Sequence, residues 1–234
     1  MRKATTLTLF AMALIALLAQ TASAANSVRI SQVYGGGGGS GTYQYDYVEL
    51  FNSSGSAVNI GGWSIQYGSS AGTSFGSTAA NMAIIPVGTT IGPCGYFLAQ
   101  VGPAGTAGVP LPVTPDFVNT AGPSMSQSAG KVALINNSTG NNACSGNTVG
   151  GIYVDVVAYG GNCFETAAAL GTSNVTVAVR NGAGTVDTDN NSLDITIQGT
   201  GVTTIHNSAS PQNAACLATP TMPSTWGKIK VLYR

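Results

Sequence analysis

The chain has 234 residues, with eight Lys or Arg, eight Asp or Glu and one His, so its formal charge is zero. So few cations, and no Lys/Arg cluster in the body of the chain, argue against a surface that tracks nucleic-acid phosphates. A hydrophobic content of 44% argues against a disordered chain, and four cysteines without a CxxC spacing beside a single His argue against a structural zinc site.

At the start, Arg2 and Lys3 precede an apolar run of about thirteen residues, 7–19, and Ala22-Ser23-Ala24 has the small-residue pattern of a cleavage site. Residues 1–24 therefore read as a cleaved export leader, and the mature chain is expected in the periplasm, at the cell surface or in the secreted fraction. The run is shorter than the roughly 20 apolar residues of a transmembrane anchor. No later run is long and apolar enough to span a bilayer either.

Strand signals then follow in series. Val28 to Tyr34 and Asp46 to Asn52 are β-branched and aromatic runs on either side of a glycine loop. In Trp63-Ser64-Ile65-Gln66-Tyr67 the apolar residues alternate with polar ones, the period of a half-buried strand. Further strands are predicted at 95–101, 131–136, 152–159, 175–180 and 193–197, with Val175, Val177 and Val179 repeating the alternation. Gly, Pro, Asn and Ser fill the intervals and supply turn geometry. Residues 68–83 and 102–128 read as long loops, which in a compact domain serve function or move. No interior window carries apolar residues at helical spacing for ten residues. The expectation is an all-β sandwich with long Gly/Ser/Pro-rich loops over 28–200, a loop-like segment over 201–223, and a short basic-aromatic tail over 224–234 that contains Trp226, Ile229 and Tyr233.

Cys94, Cys144, Cys163 and Cys216 all follow the leader, and four cysteines in an oxidising compartment allow two disulfides in three connectivities. Cys144 and Cys163 bracket one predicted strand, so Cys144–Cys163 is the expected local pair and Cys94–Cys216 the remainder.

The pieces Ile30-Ser31-Gln32-Val33-Tyr34-Gly35, Asp46-Tyr47-Val48-Glu49-Leu50-Phe51-Asn52, Gly62-Trp63-Ser64-Ile65-Gln66-Tyr67 and Asp155-Val156-Val157-Ala158-Tyr159-Gly160 come in a telling order. With Gly95-Tyr96-Phe97-Leu98, Gly130-Lys131-Val132-Ala133-Leu134 and Asp187-Thr188-Asp189-Asn190-Asn191, they resemble the bacterial form of the lamin-tail domain over roughly residues 28–213. The resemblance implies an immunoglobulin-like β-sandwich of the kind that serves as an accessory module beside exported nucleases, phosphatases or surface proteins. A fold with many roles names none of them.

Four constellations carry possible chemistry. Gly36-x-Gly38-x-x-Gly41 fits a dinucleotide fingerprint in spacing, but that motif needs a helix to receive the pyrophosphate. Residues 43–51 read as strand, so a flexible loop is expected. Gly68-Ser69-Ser70-Ala71-Gly72 fits a nucleophile elbow, with Asp187 or Asp194 and then His206 in hydrolase order. No helix follows Ser70, and a glycine-rich chain produces such pentapeptides by chance. Asp187, Asp189, Asn191 and Asp194 have the alternate spacing that can gather oxygens around Ca²⁺. Ser192 and Gln198 stand where a calcium loop has its turn glycine and bidentate Glu, so a turn capped by its own side chains is the preferred reading. Asp46, Glu49, Asp116, Asp155 and Glu165 offer no pair at a spacing that defines a glycosidase. The sequence thus predicts a non-enzymatic binding or structural module without a cofactor, whose partner is an envelope protein or a glycan. A secreted serine hydrolase using Ser70, Asp187 and His206 is the alternative.

Overall fold

A strand turns every second side chain to the same face, so the alternating runs can be stacked face to face only as sheets. The computed structural model describes residues 27–37, 40–144 and 152–217. Its strands are β1 (Val28–Tyr34), β2 (Asp46–Asn52), β3 (Val58–Asn59), β4 (Ser64–Ser69), β5 (Ser74–Phe75), β6 (Met82–Ile84) and β7 (Thr90–Ile91). They continue with β8 (Tyr96–Val101), β9 (Phe117–Asn119), β10 (Gly130–Ile135), β11 (Asn142–Ala143), β12 (Tyr153–Tyr159), β13 (Thr176–Arg180) and β14 (Ile195–Gly199). One sheet has the order β14-β13-β1-β2-β8-β9, the second β12-β10-β4-β6, and β11-β5 and β3-β7 are small ribbons. Among the named strands of the described residues only the β8–β9 pair is parallel, with isolated parallel bridges at Tyr43–Val109 and Tyr159–Ala169. The result is an all-β, immunoglobulin-like sandwich.

Its core comes from both inner faces: Ile30, Val48, Leu50 and Phe97 from the larger sheet, Ile65, Val132, Leu134 and Val157 from the smaller. Burying each such side chain contributes about 1.5–3 kcal/mol relative to exposure. Both outer faces are also covered. Tyr34, Tyr47, Leu98, Val177, Val179 and Ile205 pack on the back of the larger sheet, and Phe75, Ile135, Tyr153 and Val156 on the back of the smaller. The alternation of Val177 and Val179 therefore marks this second cluster, and Ala178 faces the main core instead. Ser64 and Gln66, expected on a solvated face, are buried because the 137–139 backbone accepts hydrogen bonds from Ser64 Oγ (2.6 Å) and Gln66 Nε2 (2.7 Å).

Three local expectations change. Residues 193 and 194 end a one-turn helix, Asn191–Asp194, capped by the Asn190 side chain, and the strand begins at Ile195. The two long loops contain β5, β6 and β9. At its described residues the glycine loop between β1 and β2 is closely packed: a Cβ on Gly36 would lie 2.6 Å from the Tyr34 ring and 2.8 Å from Asn174 Cα. Those glycines permit close approach of backbone to neighbours, beyond any flexibility they confer. The loop joins two antiparallel strands, so no helix N-terminus follows it. Gly38 lies outside the described residues, as do the expected leader at 1–24 and the tail at 224–234.

Cys94 is bonded to Cys216 and Cys144 to Cys163, with Cα separations of 5.6 and 5.7 Å. The first bridge holds the short helix Ala214–Leu217 beside the turn before β8. Asn213 N–H donates to Cys94 O at 2.9 Å and Gln212 Nε2 to Pro93 O at 2.7 Å, so the loop-like segment after 200 is anchored to the sandwich. Among the described residues no helix is long and apolar enough to cross a membrane.

Candidate functional site

Among the described residues the charged side chains mostly point inward, and the largest group of them sits where β13 leaves β1. The two strands are paired at Gln32–Val179 and Val33–Ala178 only. One step further, the Ile30 amide groups need other partners, since a buried N–H or C=O left unpaired is costly. Asp155 of β12 accepts from Ile30 N–H at 2.6 Å, and Arg180 Nε donates to Ile30 O at 2.9 Å. Arg180 NH2 closes the arrangement with two hydrogen bonds of 2.8 Å to the Asp155 carboxylate. Both side chains are buried, at 0% and 2% exposure. A β-bulge between Ile30 and Gln32, and a register shift opposite Leu134 and Ile135, bring these segments to the same place.

Around this pair stand further acids. Asp187 lies 3.0 Å from Arg180 NH1 and 2.9 Å from Arg29 Nε, and Asp194 is 3.6 Å from Arg180 NH1. Asp194 also accepts from Thr188 N–H (2.7 Å) and Thr188 Oγ1 (2.8 Å). Glu165 accepts from Asn191 Nδ2 at 2.9 Å. Asn191 also donates to Val156 O and accepts from Ala158 N–H, and so occupies part of the open edge of β12. Burial, then the nearby Asp155, push the Glu165 carboxyl up to about 9, so it keeps its proton at neutral pH. Burial also raises Asp155, against the opposing pull of Arg180. For Arg180 burial favours the neutral form, but Asp155 and then Asp187 outweigh it and hold the guanidinium above its ordinary value.

One oxygen each of Asp155, Glu165 and Asp187 lie within 4.8 Å of one another, a spacing that would suit a metal ion. The cation facing them is the protein's own: two of the three pair directly with Arg180. The calcium candidates are not gathered around one point. Asp187 is held by two arginines, Asn191 turns to β12, Asp194 folds back on Thr188, and Asp189 is exposed with a left-handed φ of 55°.

The hydrolase candidates are separated in the same way. Ser70 sits in the turn after β4, and that turn wraps the buried Lys131 ammonium, which donates to Ser69 O (2.9 Å), Gly72 O (2.6 Å) and Asn162 Oδ1 (2.6 Å). Burial lowers the Lys131 pKa. The carboxylate beside His206 is Glu49: Nδ1 and the His206 N–H lie 3.2 and 2.6 Å from Glu49 Oε2. Asp187 and Asp194 are committed to the arginine cluster instead. Of the five acids weighed for a glycosidase pair, Asp155 and Glu165 do meet, but inside the protein. Asp46 accepts from Gly37 and Met125 amides, Glu49 from Ser31 and Gln32 side chains, and Asp116 from Leu98 N–H and Ser208.

Sequence reasoning missed Arg180, Lys131 and the Glu49–His206 pair. A signal for Arg180 existed: it has the parity of Ala178 on a strand whose valines have the other, so it was placed to enter the space between the sheets.

The outer face near His206 holds an open pocket of about 230 Å³, bounded by Gln32, residues 179–183, Gln198, residues 202–204 and His206. The His206 ring lies flat on Tyr96, with centroids 4.2 Å apart and an interplanar angle of 16°. Gln32 is fixed by Glu49, Thr204 O and Tyr47 OH. The arrangement offers amide and imidazole hydrogen-bonding groups. Among the described residues it places no hydroxyl within hydrogen-bond distance of the His206 ring nitrogens.

The two-sheet sandwich, with most of its acids engaged in internal contacts, is an immunoglobulin-like module. Residues 21–161 match the family model of the Lamin Tail Domain, and the chain belongs to that family. No curated protein matches it. The match ends before β13, so Arg180 and β14 complete the sandwich from outside the matched span.

Two tests follow from the cluster. The Glu165 carboxyl stands at about 9 in the fold against an ordinary 4.5, so the folded state keeps a proton that the unfolded chain releases. Its contribution is fully present below about pH 4.5 and is lost as pH rises through about 9, at up to roughly 1.4 kcal/mol per pH unit. Glu165→Gln should therefore flatten the decline in melting temperature between about pH 6 and 9; a parent protein whose melting temperature rises over that window contradicts the assignment. Calcium at millimolar concentration should leave the melting temperature unchanged, because arginines already occupy Asp187. A rise with calcium that magnesium does not give, lost in Asp189→Asn, would overturn the structural reading of this loop.

Proposed function

We propose that this protein is a non-enzymatic binding or structural module that acts outside the cytoplasm, at the cell surface or in the secreted fraction. The observation that carries the reading is the separate placement of its candidate groups: Ser70 lies in the turn around Lys131 with its carbonyl accepting from Asn162 N–H, Asp187 pairs with Arg180, and His206 with Glu49. Two disulfides support an oxidising compartment. The export pattern at 1–24 agrees with that placement.

The surface supports recognition without charge. Arg29, Lys131 and Arg180, which are all the Lys and Arg of the described residues, are engaged inside the fold. A nucleic acid would find no basic patch there. Of the eight acids, only Asp116 and Asp189 are exposed. An envelope protein or a glycan is the partner class that such a polar, weakly charged surface suits.

Labelling with a fluorophosphonate probe tests the reading against the serine-hydrolase alternative. The protein should remain unlabelled. Stoichiometric labelling that disappears in Ser70→Ala would replace the module with an enzyme.

A further inference from the structure

We infer that the pocket between Gln32, the 181–183 turn, Gln198, residues 202–204 and His206 is a subsite for one unit of a neutral, hydroxyl-rich ligand, a sugar residue of a glycan. The inference deepens the binding-module reading and rests on it.

The first argument is size. A volume of about 230 Å³ lies below the roughly 300–1,000 Å³ of pockets that enclose a whole drug-sized ligand. The cavity suits a single compact unit, with the remainder of a longer molecule running over the surface.

The second argument is the state of its polar groups. The half-buried Gln198 side chain has no hydrogen-bond partner among the described residues, although it has both a donor and an acceptor to offer. His206 is oriented by Glu49 at Nδ1, which leaves Nε2 as the unused nitrogen of a ring held flat on Tyr96. Sugar hydroxyls both donate and accept, so an amide and an imidazole nitrogen are suitable partners for them. The walls around these groups are fixed in advance: Gln32 is held on three sides and Asn181 is tied to Leu193 O and Thr196. Less ordering entropy is then lost on binding. Val202, 79% exposed, gives the rim an apolar contact for the C–H face of a sugar ring.

The third argument is charge. The ionisable groups beneath the pocket are directed elsewhere: Arg180 toward Asp155 and Asp187, Glu49 toward Ser31, Gln32 and His206. Among the described residues Arg180 is the one Lys or Arg lining the pocket, and its guanidinium is already paired, so an anionic sugar or an acidic peptide would have to compete with Asp155 and Asp187 for it.

One more feature belongs to the same wall. Ala183 has a φ of 53°, in the left-handed region where a residue with a Cβ is strained. Its carbonyl accepts from Tyr96 OH at 3.1 Å, so the turn that borders the pocket is fastened to the ring under His206.

The test is a glycan array that carries both neutral and uronic- or sialic-acid oligosaccharides, probed with the protein and with Gln198→Ala and Gln198→Glu. Unchanged melting temperatures confirm that the variants fold. The expected result is binding to a subset of neutral glycans, little affected by salt, and weakened at least tenfold in both variants. Neutral glycans bound equally by all three proteins would overturn the subsite and leave a glycan-binding module. A silent array, or binding confined to acidic sugars, would overturn the ligand class. If the array is silent while an envelope protein is retained independently of Gln198, the inference fails and the module reading survives.

Discussion

Arg180 is the constraint on which the two-sheet arrangement depends. Where β13 diverges from β1, the strand ladder stops and the Ile30 amide is left between the sheets. Arg180 and Asp155 supply the missing acceptor and donor and bond to each other at the same time. One contact thus joins β1 and β13 of the larger sheet to β12 of the smaller. A buried ion pair is a weak source of net stability, because desolvating both charges is expensive, and removal of one partner costs far more than the pair contributes. What the pair provides here is position. It fixes where the strands part, and Asp187, Asp194, Glu165 and Asn191 are arranged around it.

The same economy of charge shapes the outside of the molecule. With its described cations turned inward and most acids buried, the protein presents Gly, Ser, Thr and Asn. On the proposed binding role, such a surface would recognise by shape and hydrogen bonding, so salt should disturb it less than it disturbs an electrostatic interface. The extra cluster on the back of the larger sheet has a related consequence. Ile205 and the 202–206 segment pack there, anchored through the bridge between Cys94 and Cys216, and the packing creates the wall of the His206 pocket.

Much of the sandwich was legible in the sequence because period-two patterns report directly on the pleat. The runs that became β1, β2, β8, β10, β12 and β13 are rich in β-branched, aromatic or other apolar residues, and their limits moved by at most one residue. The short ribbons were not legible: two residues such as Ser74 and Phe75 carry no period. The face on which an alternating run lies was equally hidden, because Val177 and Val179 alternate identically whether they meet the main core or the outer cluster. The candidate site was least legible of all. Partners of Arg180 lie 25 and 150 residues away, at Asp155 and Ile30, and no spacing rule connects them. The Asp187 to Asp194 loop announced itself as acidic, but whether its counter-ion was a metal or an arginine depended on a strand end that only folding brings alongside.

The most direct test is a double-mutant cycle at this junction, read by urea unfolding of Asp155→Ala, Arg180→Met and the combined variant. If the pair holds the strands together, each single change should cost about 3–5 kcal/mol, because it leaves a buried charge and an Ile30 backbone group without a partner. The combined loss should then fall well below the sum. Single losses under about 1 kcal/mol, or losses that simply add, would show that the strands are positioned by something else.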